Sequence, residues 1–489
     1  MSHLPAFPVI PIHPVPMREA RQTSARDPSD DFAPPADIYA RAVSGWYAGW
    51  RWTFVWLTQI LFYGMPWLQW NGRQAVLFDL ESQRFYILGL VLHPQDLIYL
   101  AALLVISALA LFLFTAIAGR LWCGYSCPQT VYTEMFMWVE RKLEGDRVAR
   151  MRLDKAPWGL RKMARKSAKQ VAWLAIGLAT GVSFVGYFTP MRDLMQSIGD
   201  FSVSPWNGFW VLFYGLMTYG NAGYLREQMC KYMCPYARFQ SALIDKDSLI
   251  ITYDVGRGDP RGGRSRKITA AAQGLGDCVD CQLCVQVCPT GIDIRKGLQN
   301  ECIGCAACID ACNGVMDKMG YQPGLIRYST QNGVVNGWSP RQMYRRALRP
   351  RVLIYGAALM AAAAALAISI AGRSPFLFDV IKDRGALARI VDDGAVENVY
   401  RLQIMNRTES PQTYEVAVSG VAGLTWSASA VTVPATGIES VVVRLRLPES
   451  VARPLQGRSA AVIFEVTTAR GAGEPPVRLR EKSAFFVPR

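Results

Sequence analysis

The chain has 489 residues, of which 51% are hydrophobic, and it carries a formal net charge of +15. This length exceeds that of a single domain, and this apolar content exceeds that of an ordinary soluble protein. The positive charge is concentrated in segments between apolar windows, so it fits membrane orientation and argues against nucleic acid as a partner.

Residues 1–45 are predicted to form a flexible cytoplasmic tail, because prolines recur in this segment and break any helical or strand period. Residues 1–31 contain no apolar stretch of the kind found in a signal peptide. The first apolar window of the chain is therefore expected to act as its own export signal.

Five apolar windows are long enough to cross a bilayer. They cover residues 52–70, 96–118, 171–190, 206–224 and 352–371. The first four belong to a helical region at residues 46–250, and the last forms a fifth transmembrane helix at residues 351–372. Glycines interrupt the fourth window, so a re-entrant or buried helix is the alternative there.

Arginine and lysine crowd residues 120–169 and 226–351, whereas the loops at residues 71–95 and 191–204 hold few of them. The positive-inside rule then places the N-terminus and both basic segments in the cytoplasm, and residues 373–489 in the periplasm. The expectation is a multi-pass protein of a bacterial inner membrane. Residues 139–169 are interpreted either as an amphipathic helix on anionic headgroups or as a solvated orientation signal.

The motif Cys-x3-Cys-Pro occurs at the cytoplasmic ends of the second and fourth windows. Its cysteines are Cys123, Cys127, Cys230 and Cys234. A spacing of i, i+4 puts two cysteines on one helix face, so two such hairpin ends would present four thiols near the membrane surface. Thiolates select Cu(I), zinc or iron-sulfur clusters, and nearby thioethers favour Cu(I).

The nearby methionines are Met135, Met137, Met229 and Met233. Copper is therefore expected as a substrate or transient ligand of the four hairpin cysteines, with Met229 and Met233 as further candidate ligands. The alternatives are thiols that only pack, and methionines that only fill a lipid-facing surface.

Eight further cysteines form two runs of nearly identical spacing in a cytoplasmic module at residues 251–350. The first run is Cys278, Cys281, Cys284 and Cys288, and the second is Cys302, Cys305, Cys308 and Cys312. This is the bacterial ferredoxin spacing, in which the fourth cysteine of each run ligates the other cluster. One [4Fe-4S] cluster is thus assigned to Cys278, Cys281, Cys284 and Cys312, and a second to Cys302, Cys305, Cys308 and Cys288.

Structural zinc and disulfides are the alternatives for these eight cysteines, but zinc sites usually show separated Cys-x2-Cys pairs. Two such clusters imply one-electron transfer. The chain has three histidines, and only His93 lies outside the tail, which excludes a haem held by two histidines. A lone His93 is interpreted as a loop residue. No Gly-rich nucleotide motif precedes a plausible helix.

Residues 373–489 show alternating β patterns separated by turn signals, typical of an immunoglobulin-like sandwich without a disulfide. About seven short strands are predicted, for example at residues 399–405, 413–418, 438–447, 460–466 and 477–486. A further strand is predicted at residues 249–253. The sandwich contains no recognisable catalytic constellation, so it is interpreted as a partner-docking domain.

This order of helices, hairpin thiols, two-cluster insert and exported β-sandwich resembles the CcoG family, also called FixG or RdxA. The resemblance covers residues 45–489, and its most specific strings surround Cys123, Cys127, Cys234, Cys302 and Cys312. The family's role as accessory proteins of cbb3-type cytochrome c oxidase assembly implies a cupric reductase that delivers Cu(I). It also implies oxidase subunits or copper chaperones as partners.

The resulting hypothesis is a membrane iron-sulfur oxidoreductase that takes electrons from a cytoplasmic donor and reduces Cu(II) at the hairpin cysteines. A quinol-linked electron relay and a non-catalytic assembly scaffold are the alternatives. The hairpin cysteines could also hold a third cluster or form a transient disulfide. The sequence leaves the electron donor, the Cu(I) acceptor and a homodimer open.

Overall fold

The computed structural model describes residues 38–266, 273–383, 388–391, 394–427, 430–468 and 476–488. In chain order it contains a helical region, a cysteine-rich insert, one long apolar helix and a β-sandwich. The predicted flexible tail lies outside the described residues up to residue 37. Its last part is described and packs on the insert, where the Arg41 N–H donates to the Gln286 carbonyl at 2.8 Å.

Within the described residues, the helical region contains ten α-helices, and one further long helix precedes the sandwich. They are α1 (Trp46–Gly64), α2 (Leu97–Ala118), α3 (Leu121–Tyr125), α4 (Pro128–Glu144), α5 (Arg147–Lys155), α6 (Leu160–Val185), α7 (Met191–Gly199), α8 (Pro205–Gly220), α9 (Arg226–Gln228) and α10 (Pro235–Leu243) in the region, with α16 (Pro350–Ala371) before the sandwich as an eleventh. In the part of the chain that the structure describes, three segments are long and apolar enough to span a bilayer: Pro94–Ala118, Leu160–Val185 and Pro350–Ala371. The chain is therefore a membrane protein.

The first and fourth predicted windows are helical as well, but they are shorter or less apolar. Helix α1 has 19 residues, and α8 has 16 before it passes into a π-helical turn at Asn221–Leu225. Helix α8 packs tightly on α6, since a Cβ atom at Gly181 would lie 2.2 Å from the Val211 carbonyl oxygen. Five crossings and their orientation stay predictions.

The insert is framed by a pair of antiparallel strands, β6 (Ile250–Tyr253) and β7 (Ile326–Ser329). The first of these confirms the strand predicted at residues 249–253. Between and after them lie short helices and one longer helix: α11 (Val255–Gly258), α12 (Leu283–Gln286), α13 (Ala307–Met319), α14 (Gln331–Val335) and α15 (Pro340–Ala347). Ile309 and Met316 of α13 are buried against Ile251 and Ile326 of the two strands.

The C-terminal domain is a sandwich of two antiparallel sheets with strand orders β12-β14-β10-β8 and β13-β11-β15-β16, and β9 adds to β10. Its strands are β8 (Phe376–Lys382), β9 (Arg389–Ile390), β10 (Val396–Asn406), β11 (Gln412–Ser419), β12 (Thr425–Ser427), β13 (Val431–Val433), β14 (Ile438–Leu447), β15 (Ser459–Thr468) and β16 (Arg478–Phe486), with a short helix α17 (Glu449–Ala452). Tyr400, Leu402, Phe464 and Phe485 are fully buried between the sheets. The five strands whose positions were predicted are confirmed, and the described residues of this domain contain nine strands where about seven were expected.

A small β region between α1 and α2 was not predicted. It contains β1 (Gln69–Trp70), β2 (Arg73–Gln74), β3 (Val76–Asp79), β4 (Arg84–Ile87) and β5 (Leu90–Leu92). The sandwich rests on this region: Glu409 accepts hydrogen bonds from Trp70 and Arg73, at 3.0 and 2.9 Å. Arg407 of the sandwich also forms a buried ion pair with Asp96.

Candidate iron-sulfur and thiol site

The first set of predicted cluster ligands surrounds one cavity in the insert. Its cysteines are Cys278, Cys281, Cys284 and Cys312. The first three come from a loop in which Asp280 and Gln282 have positive φ, so the chain folds tightly back on itself, and Cys312 comes from α13. We call these four the outer set.

The second set surrounds a neighbouring cavity with an almost entirely apolar lining. Its cysteines are Cys288, Cys302, Cys305 and Cys308. Cys284 of the outer set also lines this cavity, so the two sets are adjacent. We call these four the inner set. In both sets the fourth cysteine of one run joins three cysteines of the other, which is the arrangement that the ferredoxin spacing requires.

The chemistry of both cavities fits an iron-sulfur cluster, because each offers four soft sulfur donors in a poorly solvated space. Burial raises the pKa of Cys302 to about 12 and the pKa of Cys284 to about 11. These side chains are thus thiols at neutral pH when nothing is bound, and a bound cluster displaces their protons. The assignment of clusters to these eight residues stays a prediction.

The four hairpin cysteines converge from two helix breaks. Cys127 precedes α4 and Cys234 precedes α10, each as the N-cap residue with a proline at the next position. Cys123 lies in α3, and Cys230 lies in a π-helical turn at Met229–Met233. The expectation that each pair shares one helix face was wrong, since a helix ends between the two cysteines of each motif.

These four thiols lie within electrostatic reach of one another. Burial, together with the smaller effect of Cys127, Cys123 and Cys234, raises the pKa of Cys230 to about 12. Burial also raises the pKa of Cys123 to about 11, although its sulfur donates to the Gln240 side-chain oxygen at 3.4 Å. We call Cys123, Cys127, Cys230 and Cys234 the thiol tetrad.

Within the described residues, no group of three or more histidine, cysteine, aspartate or glutamate side chains is placed to hold a single metal ion. This also holds for the outer and inner sets, because their cysteines line cavities and do not converge on a single point.

The predicted methionine ligands have different surroundings. Met135 packs against the buried Phe136 and Trp173, which is a packing role. Met233 is 59% exposed. Met137 lines a cavity together with Cys230. Met229, the residue before Cys230, is partly buried. Only Met137 is therefore placed near a tetrad sulfur by a shared cavity.

The tetrad touches the inner set directly. A Cβ atom at Gly124, between the first two tetrad cysteines, would lie 2.8 Å from the Cys305 backbone. Cys123 and Cys230 pack against one apolar cluster that contains Cys305 and Ile303. Cys230 and Cys305 also line a common cavity. Tetrad sulfur atoms are therefore close to the inner set, at a position where they could receive an electron from it.

Three residues near the site were not predicted. The Asp310 carboxylate, between Cys308 and Cys312, accepts hydrogen bonds from the backbone N–H groups of Tyr47 and Ala48 at 3.2 and 2.7 Å, and so ties α1 to the insert. Arg51 of α1 is buried and lines the cavity that contains Cys305. Arg120 is also buried; its guanidinium donates to the Ala237 carbonyl at 2.7 Å and to the Asn300 carbonyl.

Comparison with known proteins identifies the parts of the chain. Residues 225–331 match a family described as a 4Fe-4S dicluster domain, and residues 366–488 match the immunoglobulin-like fold at the C-terminus of FixG. Residues 100–145, which contain Cys123 and Cys127, match a family described as a 4Fe-4S binding domain. The C-terminal sandwich is therefore immunoglobulin-like, as predicted.

Full-length relatives agree with these matches. The chain is 38% identical to the nitrogen fixation protein FixG of Rhizobium meliloti over 79% of its own length and 80% of that protein. It is 39% identical to protein RdxB of Cereibacter sphaeroides, over 83% and 87% of the two chains. Protein RdxA of the same organism is 36% identical, over 85% and 90%. The chain therefore belongs to the FixG/RdxA family and is a membrane-bound iron-sulfur redox protein.

Proposed function

We propose that this protein reduces Cu(II) to Cu(I), and that the Cu(I) serves the assembly of a cbb3-type cytochrome c oxidase. The observation that carries the proposal is the contact between the thiol tetrad and the inner set, at Gly124 and Cys305. A soft-ligand group beside a one-electron carrier suits a metal ion that changes from a harder to a softer state on reduction.

Iron-sulfur clusters, when bound to the outer and inner sets, supply single electrons. The chain's own residues provide the rest of the reaction site. Thiolates of the tetrad bind Cu(I) better than Cu(II), so they stabilise the product of the reduction. Because burial keeps Cys123 and Cys230 protonated at neutral pH, Cu(I) binding releases protons from them.

The proposed orientation follows from the charge distribution. The insert takes electrons from a cytoplasmic donor, the membrane is crossed five times, and the sandwich lies in the periplasm. There it docks oxidase subunits or a copper chaperone. The concentration of lysine and arginine around the insert, and the lack of cysteine after α16, support this orientation.

The test is anaerobic Cu(II) reduction by the purified, chemically reduced protein, with Cu(I) followed by a specific chelator. A Cys230→Ser/Cys234→Ser variant is compared with Tyr232→Phe, a matched change at an exposed residue of the same turn. We expect stoichiometric Cu(I) from the wild type and from Tyr232→Phe. The double variant should form little Cu(I) while it retains iron and sulfide for two clusters.

Two results would overturn parts of this proposal. If no protein reduces copper although each holds its clusters, the copper function is wrong. If the double variant loses one third of the iron and sulfide of the wild type, the tetrad holds a third cluster and is not the copper-binding group.

A further inference from the structure

Arg51 is an unusual residue for a helix at a membrane. The buried positions of α1 are Ala48, Arg51, Val55 and Gln59, which form one stripe along the helix. Arg51 is only 7% exposed. An ionisable side chain on the interior stripe of such a helix generally marks a functional site and has an identifiable partner.

The partner of Arg51 is not a conventional ion pair. Among the described residues, no hydrogen bond or salt bridge to its guanidinium is present, and its Nε atom is buried without a partner. Glu134 lines the same two cavities as Arg51, but its ion-pair partner is Arg141, at 3.6 Å. Asp310 acts as the cap of α1. Its charge is attracted across the cavity without a hydrogen bond, most strongly by Glu134 and next by Cys305.

The inner set offers Arg51 a further source of negative charge, after Glu134. Cys305 lines the cavity that Arg51 lines, and the charge of Arg51 acts on its sulfur. Four thiolates outweigh the positive charge of an iron-sulfur core, so a liganded cluster is an anion, and reduction adds a further negative charge. Arg120 is also buried, and its positive charge favours the thiolate form of Cys302.

The outer set has a different electrostatic environment. Arg295 is the cation that acts on Cys284, and its guanidinium pairs with Asp293 at 2.8 Å and with Asp280. Two carboxylates therefore offset the charge of Arg295, and a second cation, the partly buried Arg264, donates to the Cys278 carbonyl at 3.4 Å. The inner set faces two buried arginines with no such close pair on Arg51.

We propose that Arg51 is the counter-ion of the inner cluster, and that it raises the reduction potential of this cluster above that of the outer one. Net charge around a cluster is one of the main determinants of its potential. Electrons then collect at the inner cluster, next to the thiol tetrad. The inference rests on clusters being bound at the two cysteine sets, and it holds whether or not copper is the acceptor.

The test is a potentiometric titration of the purified protein, with reduced clusters followed by electron paramagnetic resonance. In Arg51→Gln, the ratio of reduced to oxidised inner cluster at a fixed potential should fall about tenfold, which for a one-electron couple is a midpoint about 59 mV lower. Arg51→Lys keeps the charge and should stay near the wild type. Arg453→Gln, which removes one positive charge at an exposed residue of the sandwich, is the charge-matched control and should leave both midpoints unchanged.

Two further variants keep the proposal testable if Arg51→Gln does not fold. Glu134→Gln removes a carboxylate that lines the same cavity and acts on Cys305, so it should move the inner midpoint upward. Arg295→Gln should shift the other midpoint, which identifies the outer cluster. If Arg51→Gln and Glu134→Gln both hold full iron and leave both midpoints unchanged, Arg51 does not tune the inner cluster.

Discussion

At the scale of single residues, the site depends on one close approach between two backbones. Gly124 lies in α3, and Cys305 lies in the loop of the inner set, 181 positions later in the chain. Because a glycine has no Cβ, the two chains touch, and the thiol tetrad comes next to the inner set. The contact therefore couples two motifs that the sequence shows only separately.

Gly124→Ala should separate these two segments. Its Cβ atom would lie 2.8 Å from backbone atoms of Cys305, which cannot move without shifting the inner set. Overpacking of this kind costs about 1–3 kcal/mol. We expect a lower unfolding temperature and slower Cu(II) reduction at unchanged iron content.

The matched control for Gly124→Ala is Gly314→Ala in α13, where nothing lies within 4 Å of the added Cβ. An alanine at this exposed helical position should be neutral, or stabilising by up to about 1 kcal/mol. Equal unfolding temperatures and equal rates for the two variants would show that the close approach is not required.

At the scale of elements, helices α4, α5, α6 and α9 are joined by a buried ion-pair network. Glu140 of α4 contacts Arg150 at 2.5 Å, Lys169 at 3.5 Å and Arg226 at 3.3 Å. Trp173 lies between Lys169 and Arg226, within 4.7 and 5.4 Å of their charges. This network fixes the turn at residue 226 from which the second half of the tetrad follows.

This finding corrects the interpretation of residues 139–169 as one amphipathic surface helix or a solvated signal. The segment forms parts of three helices, and Arg150 and Lys169 are buried. Charge counting cannot distinguish an internal cation from an external one. The distinction depends on Glu140 and Glu144, whose side chains face the cations only after α4 and α6 have packed.

Glu140→Gln should destabilise this element strongly. Burial raises the pKa of Glu140, but the charges of Arg226, Arg150 and Lys169 outweigh burial and hold the pKa below its usual value. Loss of this carboxylate leaves three cations close together, and breaking a buried pair costs about 3–5 kcal/mol. Thermal unfolding of the purified protein would measure the loss.

Glu449→Gln is the comparison for this prediction, because its pair with Arg453 is surface-exposed, at 52% and 73%. We expect less than about 1 kcal/mol there. A similar small effect of both substitutions would mean that the network is dispensable.

At the scale of the whole molecule, local patterns predicted the parts but not their junctions. The cysteine runs and the alternating strands are local signals, and they predicted the insert and most of the sandwich. Asp310 and Ala48, in contrast, are 262 residues apart, and their hydrogen bond exists only in the packed molecule. The β1–β5 region was missed because its strands contain only two to four residues, too few for a period to show.

The β1–β5 region contacts the sandwich through Glu409. His93 lies at the junction between this region, the start of α2 and the sandwich. His93 is 1% exposed, and among the described residues neither of its ring nitrogens has a hydrogen-bond partner. Burial lowers its pKa to about 4, and the positive charges of Arg407, Arg84 and Arg373 add to this effect, while Asp96 opposes it. Arg407 and Asp96 form the ion pair that ties the sandwich to the start of α2.

The junction should therefore weaken in acid. His93 is neutral in the folded protein, whereas an unfolded histidine titrates near its usual pKa of 6.5. Stability from the neutral imidazole is complete above pH 6.5 and is lost as the pH falls toward about 4. The shift corresponds to at most about 3 kcal/mol. His93→Asn, which stays neutral, should lack this part of the pH dependence.

Unfolding temperatures of the wild type and His93→Asn, measured from neutral pH down to about pH 4, provide the test. Carboxylates lower the stability of both proteins in acid, so the informative quantity is the difference between the two curves. As the pH falls below 6.5, the unfolding temperature of the wild type should fall more than that of His93→Asn. Limited proteolysis at each pH would show whether the sandwich loosens first, as expected for a charge placed beside Arg407. Parallel curves would mean that His93 has the same pKa in the folded and the unfolded protein, so that its charge is accommodated without loss at the junction.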